Sequence, residues 1–412
     1  MNRTNYIIIF LAAGLYLAAC NTVKREQSQE EKESRFHQEL LTIDTHADTP
    51  LRMVRPGFDI SKRNDPGRGG AKVDFPRMKE GGLDGIFFAV YTGQGPRDKE
   101  GTEHARQRAL ELFDTIHAVI RRNPGMVQLG LQADDLETIN KNDRLAIFIG
   151  MENGYPIGKD INLVKEYYNL GTRYITLCHS SNNDICDSST DRDGPEHDGL
   201  SEFGEQVVKE MNRLGIIIDV SHASDATFFD VLELSEAPII ASHSGARAIM
   251  DHPRNLSDSM LVRLAEEDGV IQVCLVPDYV REAEPYPERD SAREAVVQEH
   301  GNYYELPEED REAFLRDWYA VDSVFPPHLP TVSDFVDHID HVVQVAGIDH
   351  VGIGSDFDGG GALEDCYDVS EMDNITYELL RRDYSEEDIR KIWSSNFLRV
   401  FREVEKLSRE KE

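Results

Sequence analysis

At 412 residues the chain can hold one large domain or two modest ones, and 40% hydrophobic with 29% charged residues is the composition of a soluble globular protein with a sizeable core. Lys plus Arg number 44 against 77 Asp plus Glu, a formal net charge of −33. That balance makes a nucleic-acid backbone an unfavourable partner and otherwise describes a solvated surface.

Arg3 precedes an apolar run from Ile7 to Ala19, which ends at Cys20 and polar Asn21, Thr22 and Lys24. The run is shorter than the roughly 20 residues of a membrane span. It has the charged start, apolar middle and small-residue end of a secretory signal. Leu17, Ala18, Ala19 and Cys20 also resemble a bacterial lipobox, in which the cysteine is lipidated and becomes the new N-terminus. The expectation is a signal over residues 1–19, lipidation at Cys20 and an extracytoplasmic lipoprotein held to a membrane; an ordinary signal with a chance cysteine is the alternative. Lys24 to Glu39 is rich in charge and Gln, so residues 20–39 read as a solvated tether ahead of a domain over 40–407 and a tail over 408–412. Cys178, Cys186, Cys274 and Cys366 lack C-x-x-C spacing and read as core or loop residues, their pairing open.

From Leu41 onward strand and helix patterns alternate. Eight candidate strands are Leu41–Asp44, Gly85–Tyr91, Leu145–Gly150, Tyr174–Cys178, Ile216–Val220, Ile239–Ser242, Val270–Val276 and Val351–Gly354. Helical patterns between them include Gly101–Arg122, Leu136–Lys141, Ile161–Asn169, Ser201–Leu214, Ala223–Leu234, Ser257–Glu267 and Thr331–Ala346. The strands are continuous apolar runs, as parallel strands covered by helices require. The predicted fold is therefore α/β, a (β/α)8 TIM-type barrel with an insertion over 281–330 after the seventh strand. That insertion is acidic and proline-bearing, with a helix-like stretch from Glu308 to Trp318, and reads as a lid or a surface decoration. A doubly wound sheet is the rival, but it places its ligand at one switch point. Ser385–Lys406 reads as a closing helix with Ser385 as its N-cap.

Six of these strands stop at or near an acid or a histidine: His46 and Asp48, Glu152, His179, His222, His243 and Asp356. His46 and Asp48, two apart beyond a strand, point the same way if the chain stays extended. Glu152 can bridge two ions through its two oxygens, and His222 and His243 add nitrogen ligands. The set divides into His-Asp-Glu and Glu-His-His, with room for water at both ions. Ions about 3.5–4 Å apart could share a hydroxide formed near neutrality. His179 suits donation to an oxyanion. Asp356, in GIGSDFDGGG, suits proton transfer, with Asp358 as its competitor from spacing alone. Arg254 offers a planar fork for a carboxylate. No G-x-S-x-G elbow, Walker A or helix-opening G-x-G-x-x-G is present.

The segments IDTHADTP, GMENG, YITLCHSSNN, IDVSHAS, SHSGAR, HPRN, GIGSDFDG and LLRRDYSEEDIRKIWSSNFLRVF resemble the membrane dipeptidase (renal dipeptidase) family of binuclear zinc peptidases, in order from Leu41 to Glu405. The resemblance implies two Zn2+ per chain on His46, Asp48, Glu152, His222 and His243, with Glu152 bridging. It implies that His179 approaches the scissile carbonyl, that Arg254 meets the C-terminal carboxylate, and that Asp356 rather than Asp358 shuttles the proton and meets the substrate amine. Two departures stand out: VCLVPDY replaces an aromatic, Asn-rich segment, leaving a role for Tyr279 open, and the 281–330 segment is longer than the renal pattern. The expected function is zinc-dependent hydrolysis of dipeptides. The alternatives are a binuclear amidohydrolase for N-acyl amino acids or lactams, and a non-catalytic peptide- or zinc-binding lipoprotein. Oligomeric state, including a homodimer, stays open.

Overall fold

The structure, a computed structural model, describes residues 31–66, 71–302 and 306–409. The signal-type run and Cys20 lie outside the described residues. Nine parallel strands form one sheet: β1 (Ile43–Ala47), β2 (Gly85–Tyr91), β3 (Val127–Leu129), β4 (Leu145–Glu152), β5 (Thr172–Thr176), β6 (Ile217–Asp219), β7 (Ile240–Ser244), β8 (Val270–Val273) and β9 (Val351–Ile353). Eight of them run in the order β1-β2-β4-β5-β6-β7-β8-β9, with helices between, and β3 pairs only with β4. The ring closes where Ala47 bridges Phe357 in parallel. Across that seam Asp48 N donates to Phe357 O at 2.8 Å and Asp356 N donates to His46 O at 3.0 Å. Below it, Asp44 accepts from Ser355 N at 2.7 Å and from Ser355 Oγ at 2.5 Å. The predicted (β/α)8 barrel is the fold observed. The short β3 is an addition to it, because a three-residue run carries no legible period.

Alternation along the strands builds two cores. On β4, Ala146 and Phe148 belong to an inner cluster with Ile43, Phe87, Tyr174, Ile217, Ile240 and Val270. Ile147, Ile149 and Met151 join the outer cluster that covers the barrel with helices. Phe397 and Phe401 of the helix Asn396–Arg409 plug the inner cluster, Phe397 at 5.3 Å from the Phe87 ring. Gly150 is required where it stands, since a Cβ there would enter the Tyr174 ring. Burying these groups removes the barrel's lower end from water, so polar residues on the same inner phase are confined to its C-terminal rim. The covering helices start where the sequence provides caps: Ser201, Ser224 and Ser257 each accept from a backbone N–H in the first turn, and Thr331 forms a capping box with Asp334.

The 281–330 segment holds two helices, Pro287–His300 and Glu308–Val324, where the sequence shows only the second clearly. They share a satellite core of Val296, Phe314 and Val321. Arg289 and Arg293 both donate to Asp322, and Arg293 lies 3.8 Å over the Trp318 ring. The closing helix is not continuous: a π-helical turn, Lys391–Ser395, separates Glu386–Arg390 from Asn396–Arg409. Within that turn Trp393 Nε1 donates to Thr376 Oγ1 at 2.8 Å. Cys178, Cys186, Cys274 and Cys366 are buried free thiols. No helix among the described residues is long and apolar enough to cross a membrane.

Candidate metal centre

Glu152 is the last residue of β4 and shares the inner phase of Ala146 and Phe148, so its carboxylate rises at the barrel axis. Three imidazoles crowd one of its oxygens. Nε2 of His222, His243 and His179 lies 3.2, 3.5 and 3.6 Å from Oε1, while His46 Nε2 lies 3.4 Å from Oε2. His222 and His243 bring their Nε2 atoms within 2.9 Å of each other. The rings of His46 and His243 stand 3.8 Å apart.

Simple alternation does not put these histidines there. The β1–β2 ladder slips between Asp44 and Ala47, and the β7–β8 ladder slips between Ala241 and Ser244. Such irregularities re-aim a side chain. Here each lets two successive residues, Thr45 with His46 and Ser242 with His243, reach interior partners. Other strand ends turn by left-handed backbone. Asn153, His222 and Asp356 have φ of 76°, 69° and 58°, a region that non-glycine residues occupy only when their surroundings hold them.

Three overlapping triplets have donor atoms within 4.8 Å of one another: His46–Glu152–His243, Glu152–His179–His222 and His46–Asp48–Asp356. His46 Nε2, Asp48 Oδ1 and Glu152 Oε2 are buried without a hydrogen-bond partner. Buried polar atoms are ordinarily satisfied, so these residues fit a group that supplies the missing partner. The electrostatics agree. Burial lifts Glu152 to about 8, and burial with the neighbouring Glu152 charge lifts Asp48 well above the carboxylate range. Burial drives His222 and His243 well below the usual imidazole value. Paired acids beside neutral imidazoles are the donor set that divalent cations complete.

All the predicted site residues among the described residues converge on this rim. The geometry does not separate His179 from the ligand candidates by distance. It differs in exposure, its side chain being 25% accessible against 6% or less for His46, His222 and His243. Burial, with Arg254 and His46 nearby, lowers His179 to about 3, and its ring meets Tyr91 edge-on at 4.8 Å. Arg254 is buried beneath the rim, with Nη2 donating to His243 O at 2.9 Å and Nε unpartnered. Its guanidinium stands 5.3 Å from the Tyr279 ring, which gives Tyr279 a definite place beside the site. Asp358 is taken up elsewhere, accepting from Lys72 N at 2.9 Å and Thr49 Oγ1 at 2.8 Å. Asp356 is instead the acid that joins His46 and Asp48, and burial raises its pKa well above the usual range.

Sequence reasoning passed over three residues. Tyr174 OH lies 2.8 Å from His46 Nδ1, Ser242 Oγ lies 2.8 Å from His243 Nδ1, and Asp219 accepts from Ser242 Oγ at 2.6 Å. A signal for Asp219 existed: an acid inside the apolar run IIIDV belongs to a buried strand and needs a reason to be there. Gly359 is a further hidden determinant, because a Cβ there would collide with the carboxylates of both Asp48 and Asp356. Gly359→Ala is therefore expected to lower turnover on the order of 10²-fold by displacing those acids, with little change in melting temperature. Steady-state rates and a thermal melt on the same sample check this.

Fold and site together define a class: a parallel (β/α)8 barrel whose C-terminal rim gathers histidines and acids able to hold metal ions. The chain belongs to the membrane dipeptidase family, peptidase family M19, whose family profile matches residues 30–412. It is similar to dipeptidase tcpJ of Claviceps purpurea (strain 20.1), 31% identical over 363 residues that span 86% of this chain and 75% of that protein. Among solved structures it is similar to the probable dipeptidase PvdM from Pseudomonas aeruginosa, with TM-score 0.80 and 30% identity over 92% of this chain and 98% of that one. A second, the metallopeptidase dipeptidase AC of family M19, aligns with TM-score 0.70 and 26% identity over 88% of this chain and 98% of that one. The chain is thus a hydrolase of the dipeptidase type within a metallopeptidase family.

Proposed function

We propose that this protein hydrolyses dipeptides with two zinc ions, His46, Asp48 and Glu152 holding one and Glu152, His222 and His243 the other. The observation that carries this is Glu152, whose two oxygens face His46 on one side and His222 with His243 on the other. Bound zinc supplies a Lewis acid for the scissile carbonyl and a water ionised near neutrality. His179, neutral and partly exposed at the rim, donates a hydrogen bond to the oxygen that gains charge. Asp356, held in place by its left-handed backbone and by the bond from its N–H to His46 O, takes a proton and delivers it to the departing amine. Arg254 binds the substrate carboxylate and Asp356 the free amine, so the two limit the substrate to two residues.

A panel of free dipeptides, tripeptides and N-acylated amino acids tests this reading on zinc-loaded protein. Cleavage of free dipeptides alone is expected. Comparable rates on N-blocked substrates would favour the amidohydrolase alternative, and stoichiometric binding without turnover would favour a binding lipoprotein. Arg254→Gln is expected to lower kcat/KM for dipeptides about 10- to 100-fold, the worth of a charged hydrogen bond. Dipeptide amides, which lack the carboxylate, should lose nothing further; an equal loss on both would remove Arg254 from carboxylate recognition.

The lipobox-like start supports an extracytoplasmic, membrane-anchored lipoprotein modified at Cys20. Cys20→Ser should then abolish labelling by a fatty-acid analogue and release the protein from membranes; unchanged labelling would end that proposal.

A further inference from the structure

We propose that Asp219 is the positioning residue that sets the tautomer of His243, acting through Ser242. This rests on reading His243 as a metal ligand and goes beyond it by naming what aims it. Asp219 ends β6 and is fully buried. Its Oδ2 accepts from Thr176 Oγ1 at 2.5 Å and Ser242 Oγ at 2.6 Å, and its Oδ1 accepts from Ser221 N at 3.0 Å and Ser242 N at 2.8 Å. With four donors aimed at it, the carboxylate acts as acceptor only.

One hydroxyl hydrogen then decides the network. Ser242 has a single hydrogen to donate, and Asp219 takes it. The contact of 2.8 Å between Ser242 Oγ and His243 Nδ1 must therefore have the nitrogen donating. His243 carries its proton on Nδ1 and a lone pair on Nε2. That lone pair faces Glu152 Oε1 at 3.5 Å, so one carboxylate outside the ligand set orients a nitrogen donor of the proposed site.

The test combines two readings on the full chain. Histidine-selective 15N spectra of the metal-free protein report tautomers, and competition with a chelator reports Zn2+ affinity. The unaltered protein should show His243 protonated on Nδ1. In Asp219→Asn the side-chain amide can donate to Ser242 Oγ, freeing the hydroxyl hydrogen to turn toward His243. We expect His243 to gain the Nε2–H form and Zn2+ affinity to fall about 10- to 100-fold. Ser242→Ala, which removes the acceptor facing His243 Nδ1, should release the same tautomer, and it keeps the test decisive if Asp219→Asn does not fold. A His243 still protonated on Nδ1 in both variants, or affinity within twofold of the unaltered protein, would overturn the role of Asp219. Absence of Zn2+ binding by the unaltered protein would instead overturn the ligand reading itself, and this inference with it.

Discussion

Glu152→Gln is expected to lower dipeptide turnover by about three orders of magnitude, near the upper range for removing one preorganised charged group from an active site. It should also cut zinc content below two ions per chain. Both losses follow from position: this carboxylate ends β4 at the barrel axis and lies within 3.6 Å of four imidazole nitrogens. Without metal the same substitution should stabilise the protein. Burial raises the Glu152 carboxyl to about 8 from its ordinary 4.5. A folded pKa above the unfolded one means that its contribution to stability is complete below pH 4.5 and is lost as pH rises toward 8. At pH 7 that loss is about 3 kcal/mol, and a neutral glutamine does not incur it. Metal-free Glu152→Gln should therefore melt higher than the unaltered chain at pH 7, with the gap closing at pH 4.5. Zinc should reverse the order, because it stabilises most the chain that binds it more tightly. Native turnover by the variant, or a gap that widens on acidification, would remove Glu152 from the centre of the mechanism.

Asp356→Asn is expected to reduce kcat by about 10²- to 10⁴-fold, the range for loss of a positioned proton carrier. The amide keeps the size of the side chain, and the backbone bond from residue 356 to His46 O is untouched. Zinc content should stay at two ions per chain. The prediction discriminates because Asp356 also forms a triplet with His46 and Asp48. Loss of one ion together with activity would make Asp356 a ligand, and a near-native kcat would make it neither ligand nor shuttle. Asp358→Asn is the contrasting variant. Asp358 holds Lys72 N and Thr49 Oγ1, so its substitution should lower stability more than kcat.

Much of the architecture was legible from local pattern. Continuous apolar runs such as GIFFAVY and LAIFIGME, short and β-prone, read as strands buried on both faces, and eight of them alternating with capped helices leave few folds besides a barrel. Elements without a period of their own were not legible. Val127–Leu129 is three residues long, and Pro287–His300 carries one buried apolar residue, Val296, with its partners Phe314 and Val321 on another helix. The π turn at Lys391–Ser395 is also absent from the local pattern, because the Ile392, Trp393 and Phe397 stripe reads as one continuous helix.

The amino-acid sequence by itself determined which residues meet. Strand ends in a parallel barrel share one rim, so placing His46, Asp48, Glu152, His179, His222, His243 and Asp356 at strand ends already brought them together. Only the tertiary structure decided how they are aimed. The ladder slips in β1 and β7 bring His46 and His243 to the interior beside Thr45 and Ser242. Gly359 leaves the space that Asp48 and Asp356 occupy, and Asp219 holds the Ser242 hydroxyl that meets His243 Nδ1. The physical reason is one of range. Period and capping act within a few residues, whereas a slip in a strand ladder or the direction of one hydroxyl hydrogen is set by neighbours far apart in the chain.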